Sequence, residues 1–185
     1  MTSLDVPVPT VERRRAVRHL AAAVAVVTVR HKGAVHGTTV SSLTTVSHEP
    51  LLLGVCLRPG SVFADLACAA TRFTVNVLDS DQAHLARWFA DRLRPKGAEQ
   101  FDRLGCHEDP YTKAPRLDGA LAHFSCRVSG RTPIGDHEVL LAHVLRATAR
   151  GGAPLLSFAG QICGGPLRVV SGQLDTYHEG EGDVR

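Results

Sequence analysis

The groups able to do chemistry in this chain are few and lie far apart in sequence. Thr39-Val40-Ser41-Ser42 leaves an apolar stretch and offers consecutive backbone N–H groups beside small hydroxyls. Small side chains let a flat ring lie close to the main chain, and the amides can bond its polar edge. The same residues equally suit a strand with serines on its wet face. Arg58-Pro59-Gly60-Ser61 precedes a short apolar segment. If that segment is a helix, Arg58 supplies fixed positive charge and the helix start supplies unpaired N–H groups, which together bind an anion. The plain alternative is a surface arginine and an ordinary serine cap. Asn76 sits within the apolar run Phe73–Leu78, where an amide is costly unless it finds partners. Gly135-Asp136-His137 combines a residue free to turn, a carboxylate able to orient an imidazole, and an imidazole that titrates near neutrality. A simple turn explains it as well.

Composition narrows the classes. Net charge is +3 and aromatic residues are 5% of the chain, which leaves neither a basic field nor a stacking platform for nucleic acid. Among the ten histidines, His123 with Cys126 offers a candidate ligand pair. Three residues apart on a strand, they point to opposite faces, so no metal is expected. Gly-x-Gly-x-x-Gly after a strand, the phosphate-loop signature and Gly-x-Ser-x-Gly are all absent, which disfavours a Rossmann dinucleotide site, a nucleoside-triphosphatase and a nucleophile-elbow hydrolase. Five cysteines without paired spacing argue for a reducing compartment, and a cytoplasmic location is expected. Arg13, Arg14, Arg15 and Arg18 before the apolar run Leu20–Val29 imitate a secretion signal. However, the run reads as a strand, Arg30-His31-Lys32 follows instead of a cleavage site, and it is too short to span a membrane.

The elements that must carry these groups are mostly strands. Thr10 caps a helix expected to reach about Leu20, with Val11, Ala16, Val17 and Leu20 along one stripe. Strands are expected at Val24–Arg30, Ala34–Val40, Leu51–Leu57, Phe73–Leu78, Ala120–Ser129, His137–Arg150 and Pro154–Phe158. A helix Val62–Ala69 starts at Ser61, and another runs from Asp79-Ser80-Asp81 to about Asp91 with Leu85, Trp88 and Phe89 buried. Asp91–Pro115 reads as a long polar excursion with at most one helical turn, in which Arg94 and Lys96 are solvated charges or, less simply, a reach toward a phosphate or a nucleotide tail. Along His137–Arg150 the alternation runs through Val139, Leu141, His143 and Leu145. Six or seven strands with few helices predict one mainly β domain at 10–170, a closed antiparallel barrel with flanking helices. Residues 1–9 are expected to be a flexible N-terminus, and 171–185 a polar tail.

In their order along the chain, these segments resemble the short-chain flavin reductases, whose fold is the Greek-key FMN-binding split barrel. The resemblance rests on Gly37–Ser47, Pro50 with its strand, Leu57-Arg58-Pro59-Gly60-Ser61, Arg72–Leu78, Gln82, Trp88-Phe89-Ala90, Gly119–Ala122, Cys126 and Gly135-Asp136-His137. It implies an NAD(P)H:flavin oxidoreductase that reduces FMN or FAD with NADH or NADPH and supplies reduced flavin to a partner monooxygenase, acting as a homodimer. It also implies residue roles. Thr39, Val40, Ser41 and Ser42 would line the flavin; Leu57, Arg58, Ser61 and Val62 would hold its phosphate; Asn76 and Gln82 would lie near it. His137, oriented by Asp136, would place the nicotinamide. Gly60 and Val62 stand where the family often has hydroxyl residues, which leaves FMN versus FAD open. A flavin-binding protein without turnover, or an FMN enzyme acting on another bound substrate, are the alternatives.

Overall fold

A computed structural model describes residues 10–170; the expected N-terminal and C-terminal segments lie outside the described residues. In chain order the elements are α1 (Thr10–Val17), β1 (Ala22–Ala23), β2 (Ala25–His31), β3 (Ala34–Val40), β4 (Leu43–His48), β5 (Leu51–Leu57), α2 (Val62–Ala70) and β6 (Arg72–Val77). Then come a 3-10 turn (Ser80–Gln82) leading into α3 (Ala83–Ala90), a second 3-10 turn (Gly97–Phe101), β7 (Cys106–Glu108), β8 (Pro115–Leu117), β9 (Ala122–Ile134), β10 (His137–Ala149), β11 (Leu156–Phe158) and β12 (Gln161–Cys163).

Seven strands form one antiparallel sheet in the order β3-β2-β6-β9-β10-β5-β4. Within it β6-β9-β10-β5 has the Greek-key arrangement, the first of four strands in sequence lying beside the last. Hydrogen bonding does not close this sheet among the described residues: its edges are β3 and β4. Yet β3 ends at Val40 and β4 begins at Leu43, so the chain passes from one edge to the other through Ser41-Ser42. Two residues reach only about 10 Å, and the sheet must therefore curl until its edges meet at that corner. The mainly β fold expected from sequence is present as a curled sheet whose ladder among the described residues is open along β3 and β4.

Both faces of the sheet are covered near β2. On the inner face Val27, Val29, Val55, Phe73, Val75 and Leu140 pack with Phe63, Ala64 and Ala67 of α2. On the other, Val24, Val26 and Leu78 pack with Leu85, Ala86 and Phe89 of α3. That double burial is why Val24–Val27 reads as an unbroken apolar run. Each such valine, leucine or phenylalanine contributes about 1.5–3 kcal/mol on leaving water, so α2 and α3 are pinned to β2 from opposite sides.

Several expectations are corrected. α1 ends at Val17 and buries none of its residues, so its apolar stripe has no packing role among the described residues. β4 (Leu43–His48) is a strand that the sequence patterns do not predict. The polar excursion folds into a 3-10 turn and the β7–β8 hairpin, and β9 runs on to Ile134. On β10 the buried positions are Glu138, Leu140 and Ala142; the apolar alternation at Val139, Leu141 and His143 belongs to the outer face. Two bulges, at Leu141/Ala142 and Val144/Arg146, shift the pairing with β9 and blur the period.

Candidate active site

Strand register assembles the site. β5 pairs with β10 through Leu57 and Glu138, so the next residues outward, Arg58 and His137, are neighbours where the two strands end. β4 pairs with β5 through Leu43 and Val55. Just beyond, the Cys56 amide donates to Ser42 O at 3.4 Å and the Ser42 hydroxyl donates to Cys56 O at 2.7 Å. Residues far apart in sequence thereby meet at one end of the curled sheet, around a cleft of ≈ 1090 Å³. Of the residues singled out by sequence, Thr39, Val40, Ser41, Ser42, Leu57, Arg58, Ser61, Val62 and His137 all line it.

The hydroxyls are less available than their spacing suggested. Thr39 donates to Ala86 O of α3 at 2.7 Å, and Ser42 is spent on Cys56. The amides of Ser41 and Ser42 lie outside the strand ladders and meet no described acceptor. Backbone N–H groups, rather than side chains, are what this wall offers. Below it, the Ser61 hydroxyl accepts from Ala64 N at 3.3 Å and caps α2. No ion pair among the described residues includes Arg58.

Gly135 takes φ +61° in the two-residue β9–β10 turn, the conformation a second-mirror-type hairpin needs at its first central position. This turn presents Asp136, whose carboxylate lies 2.8 Å from His137 Nδ1. The bond from His137 holds the Asp136 carboxyl below its usual range. Asp136 itself does not line the cleft; it touches it through His137. Beside this pair, Arg131 makes a two-pronged bond to the buried carboxylate of Glu138, at 2.8 and 2.9 Å, and reaches Asp65 of α2 at 2.6 Å. The turn carrying His137 is thus tied to the helix capped by Ser61.

Of the facing wall, only Arg94 and Lys96 were expected from sequence. The segment leaving α3 brings Arg92, Arg94, Pro95 and Lys96 to the cleft, and His36 of β3 lines it between them. Burial first, and the Arg94 charge second, push His36 down to about 4, so it is a neutral imidazole at pH 7. Strand parity would have found His36, since it shares a face with Thr38 and Val40. Gln100 is fully buried against the β3 edge: it accepts from Gly37 N at 3.0 Å and donates to Val35 O at 3.1 Å and Gly97 O at 2.8 Å. No local pattern announces that role.

Asn76 and Gln82 lie elsewhere. The fully buried Asn76 amide donates to Val26 O at 3.0 Å and accepts from Leu117 N at 2.8 Å, docking β8 onto the sheet. Gln82 closes a capping box with Asp79 and donates to Asp118 O at 2.7 Å. Neither lines the cleft.

A family model described as a flavin reductase like domain matches residues 17–166. The chain belongs to the flavin reductase-like family. Among relatives of the family, an NADPH-flavin oxidoreductase of Streptomyces viridifaciens is 40% identical over 152 residues, 82% of this chain and 78% of its own length. The reductase component of a Rhodococcus opacus 4-nitrophenol 4-monooxygenase/4-nitrocatechol 2-monooxygenase is 35% identical over 156 residues, covering 84% and 81%. Among solved structures, the flavin reductase component of a bacterial two-component tryptophan halogenase superposes with a TM-score of 0.80 at 34% identity, over 86% of this chain and 100% of that one. A Streptomyces globisporus NADH:FAD oxidoreductase in complex with NAD and FAD fragments gives 0.76 at 31% identity, over 83% and 90%. No helix among the described residues is long and apolar enough to cross a membrane.

Proposed function

We propose that this chain is an NAD(P)H:flavin oxidoreductase that reduces FMN or FAD and releases it to a flavin-dependent monooxygenase. The observation that carries the reading is the meeting of three groups in one cleft: the open amides at Ser41-Ser42, the unpaired Arg58 beside a helix start, and the Asp136-bonded His137. The donor set fits a flavin nucleotide. It joins N–H groups for the polar edge of a ring to a cation for a phosphate, within a volume suited to a ligand of that size.

Flavin, when bound, supplies the redox chemistry by accepting hydride from the nicotinamide. The protein's part is positioning and charge. Ser41 and Ser42 N–H groups would meet the polar edge of the ring and stabilise negative charge there. Arg58 and the first amides of α2 hold the phosphate. His137, kept in one orientation by Asp136, places the nicotinamide, and holding the two reactants in line lowers the barrier by several kcal/mol. Asn76 and Gln82 serve the scaffold.

The curled sheet acts as a split barrel, and its outer face supports a homodimer. A Cβ on Gly54 would meet Val46 and Leu141 at 2.9 and 3.7 Å, so these residues share a face. Val46 is 51% exposed. Val139-Leu140-Leu141-Ala142 is apolar on both faces, the signature of a strand covered twice, and a second copy would provide the second cover. All five cysteines are free, which suits the cytoplasm.

The test is steady-state oxidation of NADH and NADPH against FMN, FAD and riboflavin. Flavin-dependent turnover is expected, and His137→Ala should lower it more than it weakens flavin binding. A native chain that binds flavin without oxidising either nicotinamide would contradict the reading.

A further inference from the structure

The cleft carries more positive charge than one phosphate requires. Arg58 stands beside α2, and the opposite wall presents Arg92, Arg94 and Lys96 within a five-residue stretch. Arg94 is committed. It donates to Gly37 O, to Asp91 O at 2.5 Å and to Gln100 Oε1 at 3.4 Å, and its guanidinium lies 5.9 Å from the Phe89 ring centroid. Arg92 and Lys96 are not: none of the ion pairs or side-chain hydrogen bonds among the described residues uses either cation.

Their backbone is nevertheless held in place. Gly97 O, next to Lys96, accepts from the fully buried Gln100, whose own carbonyl accepts from Trp88 Nε1 at 2.8 Å. A scaffold that fixes a segment while leaving its cations without counter-charge builds a positive field into a cleft wall. The repulsion among such neighbours is relieved when an anion binds.

We infer that Arg92 and Lys96 form a second anion subsite, which takes phosphate on the adenylate half of a dinucleotide. This rests on the proposed reading, in which Arg58 already holds the phosphate next to the flavin. Both nicotinamide dinucleotides and FAD carry adenylate phosphate, so the chemistry is shared and the source is read by experiment.

The full chain is compared with Arg92→Ala, Lys96→Ala and the double variant. Arg87→Ala, which removes a cation on the exposed side of α3 outside the cleft, controls for charge alone. Affinities for FMN and FAD come from flavin fluorescence titration, and KM for NADH and NADPH from steady-state assays with FMN. Losing charge-assisted bonds to phosphate should weaken the relevant dinucleotide about tenfold or more in the double variant. A larger effect on NADPH than on NADH assigns the 2′-phosphate, equal effects assign the pyrophosphate, and a loss confined to FAD assigns the flavin dinucleotide. The FMN affinity should change far less in each case. The inference is overturned if FAD, NADH and NADPH all stay within twofold, if FMN weakens as much as they do, or if Arg87→Ala matches the double variant. The titrations need no turnover. Absence of NAD(P)H oxidation in the native chain would therefore count against the reductase reading, while unchanged FAD and FMN binding with intact oxidation and unaltered KM would count against the subsite alone.

Discussion

Replacing Gln100 by leucine tests how the cation-bearing wall is held. The side chain is fully buried and makes bonds to Gly37 N, Val35 O and Gly97 O. Leucine fills nearly the same volume and bonds to none of them. Each buried group left without a partner costs about 1–3 kcal/mol. Because β3 is an edge strand, part of that cost returns when water reaches the freed groups, so a net loss of about 3 kcal/mol is the working value. For a chain of this size each kcal/mol shifts Tm by about 2–4 °C, giving a fall of about 6–12 °C by calorimetry or circular dichroism. The loss should have a local signature, because Gly97 O is freed directly. Amide hydrogen exchange across 92–101 should accelerate more than across β9 and β10, which Gln100 does not touch. Gln100→Glu keeps the shape but lacks the two donors, and it should be no more stable than the leucine variant. A Gln100→Leu protein melting within 2 °C of the native one, with unchanged exchange at 92–101, would refute the clasp.

His36 makes stability depend on pH. Its pKa is lowered from 6.5 to about 4 in the folded protein, so the unfolded chain binds the extra proton between those values. Stability from this group is complete above pH 6.5 and falls as pH drops toward 4, by less than the full shift would give because water still reaches part of the ring. Urea melts of native and His36→Gln proteins should diverge across that window and run parallel below it. Parallel behaviour throughout would remove His36 as the cause. Arg58→Ala should weaken FMN by about 1.5–3 kcal/mol, the worth of a charged hydrogen bond, and leave riboflavin nearly unchanged; equal loss for both ligands would show that Arg58 does not hold phosphate. Arg131→Met strands the buried Glu138 carboxylate beside His137 and should cost about 2–4 kcal/mol. Adding Glu138→Gln should recover much of it, and a double variant no more stable than the single would contradict the pairing.

The strands that bear the site were readable because their patterns are local. Lys32-Gly33 and Gly135-Asp136 mark two-residue hairpins, and Ser61 marks the start of α2. Pairing across the sheet was not readable: no feature near Arg58 shows that it ends beside His137, a relation set by the Leu57–Glu138 register. β4 escaped notice because its exposed threonines and serine look like a loop, and its partner β5 supplies the ordering. The alternation along β10 does not mark its inward face because Val139, Leu140, Leu141 and Ala142 are all apolar, so period two has nothing to contrast. Asn76 and Gln82 show the limit in the other direction. A polar residue in an apolar strand signals that partners exist, and for Asn76 they are Val26 and Leu117, while Gln82 in its 3-10 turn bonds Asp118.

The central claim is that a flavin lies against the Ser41-Ser42 amides with its phosphate at Arg58 and Ser61. A crystal structure of the chain with FMN tests it most directly. Ring density is expected along 39–42, with phosphate within hydrogen-bond distance of the Arg58 guanidinium and the first turn of α2, and His137 beside the ring. FMN bound away from that corner, or with its phosphate turned from Arg58, would contradict it.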